Sequence, residues 1–451
     1  MFHKFPAFFT ATLLILTCIA VFGCRFKPDL TIIYSNDILG ELENCGCDEK
    51  QLGSLSRKAA GIDMLKKQGG RILNLDAGNL FFRKKPINNF EKNEFLLKSD
   101  YILKAYNRIR PDALNIGGKD LLFGTAQILR LKKQAGFPFL SANILYRKTG
   151  QPVFTPFIIK KTGTKKIGIV GLCGKFSSPP PEIIIADPLQ TAQKWVAFLA
   201  GKCDYIIVLS TLDLKNNRLL AEQVQNISLI ITSAPEAAVA APVRTNKTWI
   251  VWTVIRGQYL GKLEALPQKG MGLKLESRHI ALDGSAGEDP EIKEVVRSYK
   301  NALTAMNKQL FFKSALKAKD GRVPEDLYYL GADTCGECHL PQYENWKKTF
   351  HAEAYHTLKK EDNHYSAECL PCHTLGYGEP GGFDIAQRSG TCYVNVQCES
   401  CHGPGSHHSE KNGIIRNIGR KGCLTCHDKK NSPQFDYQEY LHLVKCPTGN
   451  G

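Results

Sequence analysis

Methionine is scarce in this sequence of 451 residues: it occurs four times and never after Met306. The chain beyond Met306 therefore offers no thioether as a metal ligand. Beyond the N-terminus no apolar run approaches the roughly 20 residues of a membrane-spanning helix, which excludes a polytopic membrane protein. Acidic residues are too few to balance the basic ones, and the formal charge is +16. Because Lys and Arg are scattered and not clustered on one helix, this excess does not indicate a nucleic-acid partner.

The N-terminus has the pattern of an export signal. Lys4 is followed by a nearly continuous apolar run from Phe8 to Phe22, which is short for a membrane span and typical of a signal peptide. The sequence Val21-Phe-Gly-Cys24 then resembles a bacterial lipoprotein box. We predict a lipoprotein-type signal peptide over residues 1–24 and a lipid anchor at Cys24, in the periplasm or on the outer surface of a bacterial membrane. Plain cleavage and an uncleaved anchor are the alternatives.

Four runs of Cys-x-x-Cys-His lie in the last third of the chain. Each has the pattern of a c-type haem attachment site, in which two thiols bond the porphyrin and the adjacent His is the proximal iron ligand. A pair of zinc ribbons is the alternative, but zinc does not require a His directly after every second Cys. We predict four covalently attached haems. The attachment residues are Cys335, Cys338, Cys369, Cys372, Cys398, Cys401, Cys423 and Cys426, and the proximal ligands are His339, His373, His402 and His427.

The second axial ligand of each iron must come from elsewhere. Since Met is absent here, Met/His ligation is excluded and bis-His ligation is expected. We predict a helical stretch over 343–358, on which His351 and His356 point about 140° apart and cannot serve the same haem. The candidates outside the motifs are His351, His356, His364, His407, His408 and His442.

Residues 25–285 are predicted to form an α/β domain with a layered sheet, because apolar runs alternate with amphipathic stretches. Trp249–Leu266 and Lys274–Leu282 are predicted as late antiparallel strands. The other predicted strands are Thr31–Ser35, Arg71–Asp76, Ala113–Ile116, Lys166–Gly171, Asp204–Ser210 and Ser228–Thr232. The predicted helices are Leu55–Lys67, Lys92–Arg108, Ala126–Gln134 and Thr191–Leu199.

A change of composition marks a second domain. Asp289–Leu310 is predicted as a long helix within a helical linker at 286–325; the alternative is that this helix packs wholly inside the first domain. Ten of the 12 His residues lie in the region 326–451, where ordinary periodicity fades. So short a segment cannot build a large side-chain core around four porphyrins. We expect a mainly α, loop-rich multihaem cytochrome c domain whose haems form the core and whose fold collapses without them.

The tail resembles the tetrahaem cytochrome c-554 family over about residues 328–446. The resemblance implies that His351 and His408 are distal ligands, that the haems pack in close pairs, and that one haem can lack a distal ligand. The residues that carry it are the first motif with Trp346-Lys-Lys-Thr-Phe-His351, the stretch Cys369–Phe383, and Val396-Gln-Cys-Glu-Ser-Cys-His-Gly-Pro-Gly405.

The C-terminus departs from that family's pattern. Cys446 stands at the position where relatives have a closing His, and His442 lies one helical turn earlier. Several outcomes stay open: His442 substitutes, Cys446 ligates, Cys446 forms a disulfide with Cys392, or one haem stays open.

Residues 30–265 resemble the calcineurin-like metallophosphatase domain of periplasmic nucleotidases. The segments that carry this resemblance are Thr31–Asp37, Leu75–Gly78, Pro138–Asn143 and Arg256–Gly261. In that family two metals held by Asp, His and Asn generate a hydroxide and clamp phosphate. Here most ligand positions have changed, so we expect neither a dinuclear site nor phosphohydrolase activity. Asp37 remains, whereas Leu39, Asn79, Gly118, Lys119, Thr211, Ser233 and Pro235 stand where the family has ligands.

We therefore expect an exported electron-transfer protein, not an enzyme: the haems relay electrons between redox partner proteins, and the first domain is a scaffold or docking module. A haem enzyme acting on a small nitrogen or oxygen species at an open iron is one alternative, although no Cys-x-x-Cys-Lys motif of the nitrite reductase kind occurs. A nucleotidase with an attached cytochrome is the other. In an exported protein the remaining Cys residues are expected to form disulfides. For the loop Cys45-Gly-Cys47, the alternative is a redox-active or haem-facing pair of thiols. The remaining Cys residues are Cys45, Cys47, Cys173, Cys203 and Cys392.

Overall fold

The computed structural model describes residues 30–447 except 45–50, 70, 87–88, 234–240, 269–271, 318–327, 380, 384–391, 407, 409–418, 429–430 and 433. Several predictions therefore lie outside the described residues. They concern the signal peptide with Cys24, the Cys45-Gly-Cys47 loop, Pro235, His407 and the end of the linker.

The first sheet has six strands in the order β14-β13-β1-β2-β3-β4. Strands β1 to β4 are parallel, and β13 and β14 add an antiparallel hairpin beside β1. The strands are β1 Leu30–Ser35, β2 Ile72–Asp76, β3 Ala113–Asn115, β4 Phe139–Leu140, β13 Tyr259–Gln268 and β14 Gly272–Ala281.

The second sheet has the order β11-β12-β10-β9-β7-β6, with parallel central strands and one antiparallel strand at each edge. Its strands are β6 Phe157–Thr162, β7 Lys165–Leu172, β9 Tyr205–Ser210, β10 Leu229–Thr232, β11 Val243–Thr245 and β12 Thr248–Val251. A small ribbon pairs β5 Ile144–Tyr146 with β8 Ile183–Ile185.

Helices cover both outer faces, so the first domain is a four-layer α/β sandwich. Apolar side chains of the two sheets meet in a central core, for example Tyr34 and Leu75 with Ile169 and Leu209. One outer core lies under α1, α2, α3 and α6, and the other under α4 and α5. The helices are α1 Leu55–Lys67, α2 Asn89–Ile109, α3 Thr125–Gln134, α4 Pro188–Ala200, α5 Leu214–Gln223 and α6 Pro290–Lys317.

The prediction of one strand over Trp249–Leu266 was wrong. Residues 248–251 form β12 in the second sheet, parallel to β10, and the chain then crosses to the first sheet as β13. The crossing includes Arg256, whose positive φ of 66° breaks the extended run. The other predicted strands and helices of this domain are present, with ends shifted by a few residues.

Helix α6 begins inside the first domain. Ile292, Tyr299 and Leu303 are buried in the core that α1 and α2 share. The N-terminal half of α6 is therefore packed inside the first domain, which was the alternative to a helical linker. The domain boundary at residue 326 stays a prediction.

The last region consists of short helices joined by loops, as expected for the tail. The predicted helix over 343–358 was wrong as a single element: it is divided into α8, a 3₁₀ turn at Phe350–Glu353 and α9. The helices are α7 Ala332–Cys338, α8 Leu340–Trp346, α9 Ala354–Lys360, α10 Leu370–His373, α11 Cys398–His402, α12 Gly419–Cys423 and α13 Tyr437–Val444.

Candidate functional site

The four Cys-x-x-Cys-His motifs lie on or beside short helices and meet in two pairs. The thiols of Cys335 in the first motif and Cys398 in the third lie close enough to act on each other, which lowers the pKa of Cys335 and raises that of Cys398. Cys372 of the second motif and Cys426 of the fourth are similarly close, which raises the pKa of Cys372 and lowers that of Cys426 to about 7. The fold therefore brings motifs one and three together, and motifs two and four.

Two motif histidines face a second histidine. The ring centroids of His339 and His408 are 6.1 Å apart, and those of His351 and His427 are also 6.1 Å apart. An imidazole nitrogen binds a first-row metal at about 2 Å, so two rings that share one iron have centroids on the order of 6 Å apart. Both pairs therefore fit a haem iron held between them, and both predicted distal residues take part.

Neighbouring groups orient these rings. His373 Nδ1 lies 2.5 Å from the carbonyl oxygen of Ala354, and His427 Nδ1 lies 3.1 Å from Ser432 Oγ. With Nδ1 donating to these oxygens, Nε2 is left free for iron. Burial lowers the pKa of His351, His373 and His427, which favours the neutral imidazole that binds metal.

The remaining His candidates are placed differently. His356 and His442 are exposed, and His364 packs against Tyr365 with ring centroids 4.3 Å apart. In the part of the chain that the structure describes, neither His373 nor His402 has a second His ring at the spacing of the two pairs.

None of the twelve described Cys residues forms a disulfide. The expected disulfides of Cys173, Cys203 and Cys392 are therefore absent, including one between Cys392 and Cys446. Cys173 is fully buried directly after β7, where its thiol donates to the carbonyl oxygen of Gly174 at 3.3 Å. Cys446 lies close enough to Cys398 and Cys401 to act on the pKa of both thiols.

A buried carboxylate joins the first and third motifs, and sequence reasoning missed it. Glu399, between the two cysteines of the third motif, is 3 % exposed. It accepts hydrogen bonds from the backbone N–H groups of Leu330, Gly331 and Gly405 at 2.9, 2.8 and 2.7 Å. Gln397 adds a bond from the N–H of Ala332 at 2.6 Å. The sequence alone cannot show that an acidic residue inside a haem motif has this role, because some of the backbone N–H groups that it binds are distant in the chain.

Three of the positions at which the metallophosphatase family has ligands lie together in the α/β domain. Asp37 Oδ1 accepts from Asn79 Nδ2 at 2.8 Å and from Ser233 Oγ at 3.1 Å. Asp37 and Asn79 both have positive φ, 48° and 57°. Backbone conformations of this kind are common at functional sites.

Side chains also fill the space around these positions. A Cβ on Gly118 would lie 2.6 Å from the ring of Phe176, and a Cβ on Gly117 would lie 2.7 Å from Thr211 Cγ2. An Asn at 118, as the metallophosphatase resemblance requires, would therefore collide with Phe176. Within the described ranges no three His, Cys, Asp or Glu side chains are grouped to hold a metal ion.

A buried ion pair lies directly beneath this loop. Lys58 Nζ donates to Ser35 Oγ at 2.7 Å and lies 3.3 Å from Asp76 Oδ2, and Tyr106 OH donates to the same carboxylate at 2.7 Å. Both charged side chains are at most 2 % exposed. Burial lowers the pKa of Lys58, although Asp76 opposes the shift.

The tail matches two family models: "Cytochrome c554 and c-prime" over residues 334–403 and "Doubled CXXCH motif" over residues 393–432. It is 34% identical over 95 residues to cytochrome c-554 of Nitrosomonas europaea, a match that covers 18% of this chain and 40% of that protein.

The N-terminal part is similar to nucleotidases. Over 334 residues the chain is 25% identical to the 5'-nucleotidase of Diplobatis ommata, covering 67% of this chain and 57% of that protein. The solved 5'-nucleotidase precursor of Thermus thermophilus superposes with a TM-score of 0.53 at 23% identity, covering 61% of this chain and 59% of that one. Sulfate thiohydrolase SoxB of the same organism gives a TM-score of 0.52 at 17% identity, with 61% of each chain covered. The chain spans a little over half the length of the nucleotidases it matches.

The chain therefore combines an α/β domain of metallophosphatase-like fold with a tail that carries the motifs of c-type cytochromes. More particularly, the tail is similar to cytochrome c554 over residues 334–403, and the α/β part has the fold of the solved 5'-nucleotidase precursor. No helix in the described part of the chain is both long and apolar enough to span a membrane.

Proposed function

We propose that this chain is an exported electron carrier that holds four c-type haems in its tail, with a non-catalytic α/β domain as scaffold or docking module. The observation that carries this proposal is the pair of His–His contacts at 6.1 Å, each joining a motif His to a distant His. Ligation by two His residues favours electron transfer over substrate chemistry, because it leaves no open position on the iron.

The chain's own residues divide the work among themselves. The eight motif thiols hold the porphyrins, and the four motif His residues supply one axial ligand each. His408 completes the first site with His339, and His351 completes the fourth site with His427. The haems supply one-electron chemistry when bound. The thiol contacts between motifs one and three, and between two and four, favour two close haem pairs through which electrons pass.

Redox spectroscopy tests the electron-carrier proposal. Holoprotein from a host that matures c-type cytochromes should be reduced fully by a one-electron donor and reoxidised by an acceptor without consuming substrate. Electron paramagnetic resonance of the oxidised protein should be dominated by low-spin ferric signals. A mainly high-spin spectrum would instead favour the haem-enzyme alternative, for which the sites of His373 and His402 are the candidates because no second His ring faces either of them among the described residues.

The scaffold role of the first domain rests on the altered site. Asn79 and Ser233 now hydrogen-bond the surviving Asp37, and Phe176 occupies the space beside Gly118. We expect no phosphate release from 5'-nucleotides with Mn²⁺ or Zn²⁺. Metal-dependent release that disappears in Asp37→Ala would contradict this role and establish a nucleotidase with an attached cytochrome.

Export and anchoring are proposed from the N-terminal sequence. Haem attachment requires an exported chain, and Cys24 follows the apolar run at the place of a lipidated residue. Labelling with a radioactive fatty acid should mark the wild type and spare Cys24→Ser, which should leave the membrane fraction. Equal labelling of both would show that Cys24 is not the anchor.

A further inference from the structure

A buried carboxylate lies between the two domains. Glu94 of α2 is 0 % exposed. Its carboxylate accepts hydrogen bonds from Ser366 Oγ at 2.9 Å, from the backbone N–H of Ala367 at 2.6 Å and from Tyr299 OH at 3.3 Å. Two of these partners belong to the loop that leads into the second haem motif and the third belongs to α6, so Glu94 connects three elements.

A second ion pair accompanies it. Lys98, one helical turn along α2, forms a short salt bridge with Glu368. Burial alone would raise the pKa of Glu368, but Lys98 holds it below its ordinary value, with help from Arg83 and Arg256. Burial alone would lower the pKa of Lys98, which Glu368, Glu41 and Glu94 together raise. Lys98 and Glu368 therefore keep their charges and compensate each other.

Glu94 is left as the group that can change its charge near neutral pH. Burial is the main cause that raises its pKa to about 7, while Lys98 opposes the shift. The other group facing it, Tyr299, has its pKa raised well above the ordinary value by burial and by Glu94, so it stays protonated.

The position of Glu94 couples it to the second haem motif. Glu368 directly precedes Cys369, the first thiol of that motif. The side chain of Ser366 donates to the Glu94 carboxylate, and its backbone carbonyl oxygen accepts from the N–H of Cys369 at 3.0 Å. Burial is the main cause that raises the pKa of Cys369, but the charges of Glu368 and Glu94 add to it, which places this thiol within the electrostatic field of Glu94. In a buried setting such fields are screened weakly.

We propose that Glu94 is a proton-binding site coupled to the second haem: when the haem held by Cys369, Cys372 and His373 gains an electron, Glu94 gains a proton. The electron comes from a one-electron donor and converts ferric to ferrous iron. The proton comes from solvent and adds to a carboxylate oxygen of Glu94, and no covalent bond breaks. The added negative charge at the haem favours the neutral carboxylic acid, so the two events stabilise each other. This inference rests on the proposed function, because it requires the haem.

The first test is a spectroelectrochemical titration of the holoprotein between pH 5.5 and 8.5. One redox component of the wild type should fall in potential as pH rises, by up to about 59 mV per pH unit, which is a tenfold change in proton concentration converted for a one-electron couple. Glu94→Gln imitates the protonated acid and should lose that slope. Asp100→Asn is the matched control, because Asp100 lies on the same helix but pairs with Arg130 away from the haem region.

The second test reads the carboxyl group itself and needs no variant. Redox-difference infrared spectra of the wild type should show the carbonyl band of a protonated carboxyl group appearing on reduction and shifting in D₂O. Asp100→Asn should keep this band and Glu94→Gln should lose it. A haem-replete Glu94→Gln with the wild-type slope and band would overturn this inference alone, whereas a chain without bound haem would overturn the proposed function.

Discussion

His408 and His351 are the residues whose replacement has the clearest expected effect on the haems. Each faces a motif His at 6.1 Å. Under the proposed ligation, His408→Ala would remove the second His from the site at His339, and His351→Ala would remove it from the site at His427. Each variant should convert one haem per chain from low-spin to high-spin in electron paramagnetic resonance. His356→Ala is the control, because His356 is exposed, and it should leave the spectrum unchanged. Unaltered low-spin signals in His408→Ala would contradict the assignment.

The buried lysine of α1 makes a prediction about stability. Lys58→Ala leaves Asp76 buried without its cation, and breaking a buried pair in this way costs about 3–5 kcal/mol. Lys66→Ala on the same helix removes only an exposed i,i+3 pair and should change the free energy of unfolding by less than about 0.5 kcal/mol. Denaturant titration of both variants measures the difference. A loss of under about 1 kcal/mol for Lys58→Ala would contradict the structural role of the pair.

At this scale the sequence was informative where chemistry fixes spacing. The order Cys-x-x-Cys-His predicts the haem attachment residues because covalent attachment demands that order, and a resemblance predicts His351 and His408 as distal ligands. The partner of each His could not be predicted, since His351 meets His427 across 76 positions of the chain. Glu94, Glu399 and Lys58 were missed for the same reason: each is an ordinary surface residue type until its distant partners are known.

Among the elements, the segment before the first motif is fixed to the third motif by Glu399. Its carboxylate takes three backbone N–H bonds, and hydrogen bonds to a charged group contribute roughly 1.5–3 kcal/mol each. Glu399→Gln removes the negative charge and places an amide NH₂ group, itself a hydrogen-bond donor, against these backbone N–H donors. We expect the Soret-monitored denaturation midpoint of the holoprotein to fall clearly. Glu337→Gln, an exposed Glu inside the first motif, should have little effect, and equal midpoints for the two variants would contradict the role of Glu399.

The sequence predicted correctly those strands and helices in which the pattern of apolar residues indicates the buried positions. Strands such as β7 and β9 are continuous apolar runs because sheets and helices cover both faces. The region after Thr248 was misread because β12 and β13 share one apolar pattern although they belong to different sheets. The periodicity of apolar residues indicates which residues are buried but not which sheet a strand joins. The crossing from one sheet to the other at Arg256 therefore could not be predicted from it. The prediction of one helix over 343–358 was wrong because a 3₁₀ turn at Phe350–Glu353 separates two shorter helices.

For the whole molecule, two buried carboxyl groups predict how stability depends on pH. Burial raises the pKa of Glu94 and of Asp120 to about 7, for Asp120 despite three backbone N–H bonds to it. The folded state therefore binds more protons than the unfolded state between the ordinary carboxyl range and pH 7. Protonation of these two carboxyl groups therefore stabilises the folded state fully below the ordinary carboxyl range, and this stabilisation is lost as pH rises through 7. The free energy of unfolding falls over that interval by up to about 1.4 kcal/mol per pH unit for each proton.

Glu94→Gln should flatten part of this dependence. It should be close to the wild type at pH 4.5 and more stable at pH 8, because the amide carries no charge whose burial costs free energy. Denaturation midpoints across this range, with Asp100→Asn as control, measure the effect. Destabilisation of Glu94→Gln at pH 8 would mean that the ionised carboxylate itself holds the two domains together.

The two domains obtain their cores in different ways. The sandwich buries side chains between layers, whereas the tail has a single small described cluster of buried residues around Leu358, Leu370 and Phe383. This contrast agrees with porphyrins supplying the apolar contacts that the tail's side chains do not. Fold class was predictable from periodicity in the first domain and from motif chemistry in the second, and the contact between them was not.

The most direct measurement is the intact mass of the denatured chain, produced in a host that matures c-type cytochromes. We predict the mature polypeptide plus four haems, and plus three when Cys423 and Cys426 are both replaced by Ala. A mass equal to the bare polypeptide would contradict covalent haem attachment, and with it the electron-carrier function.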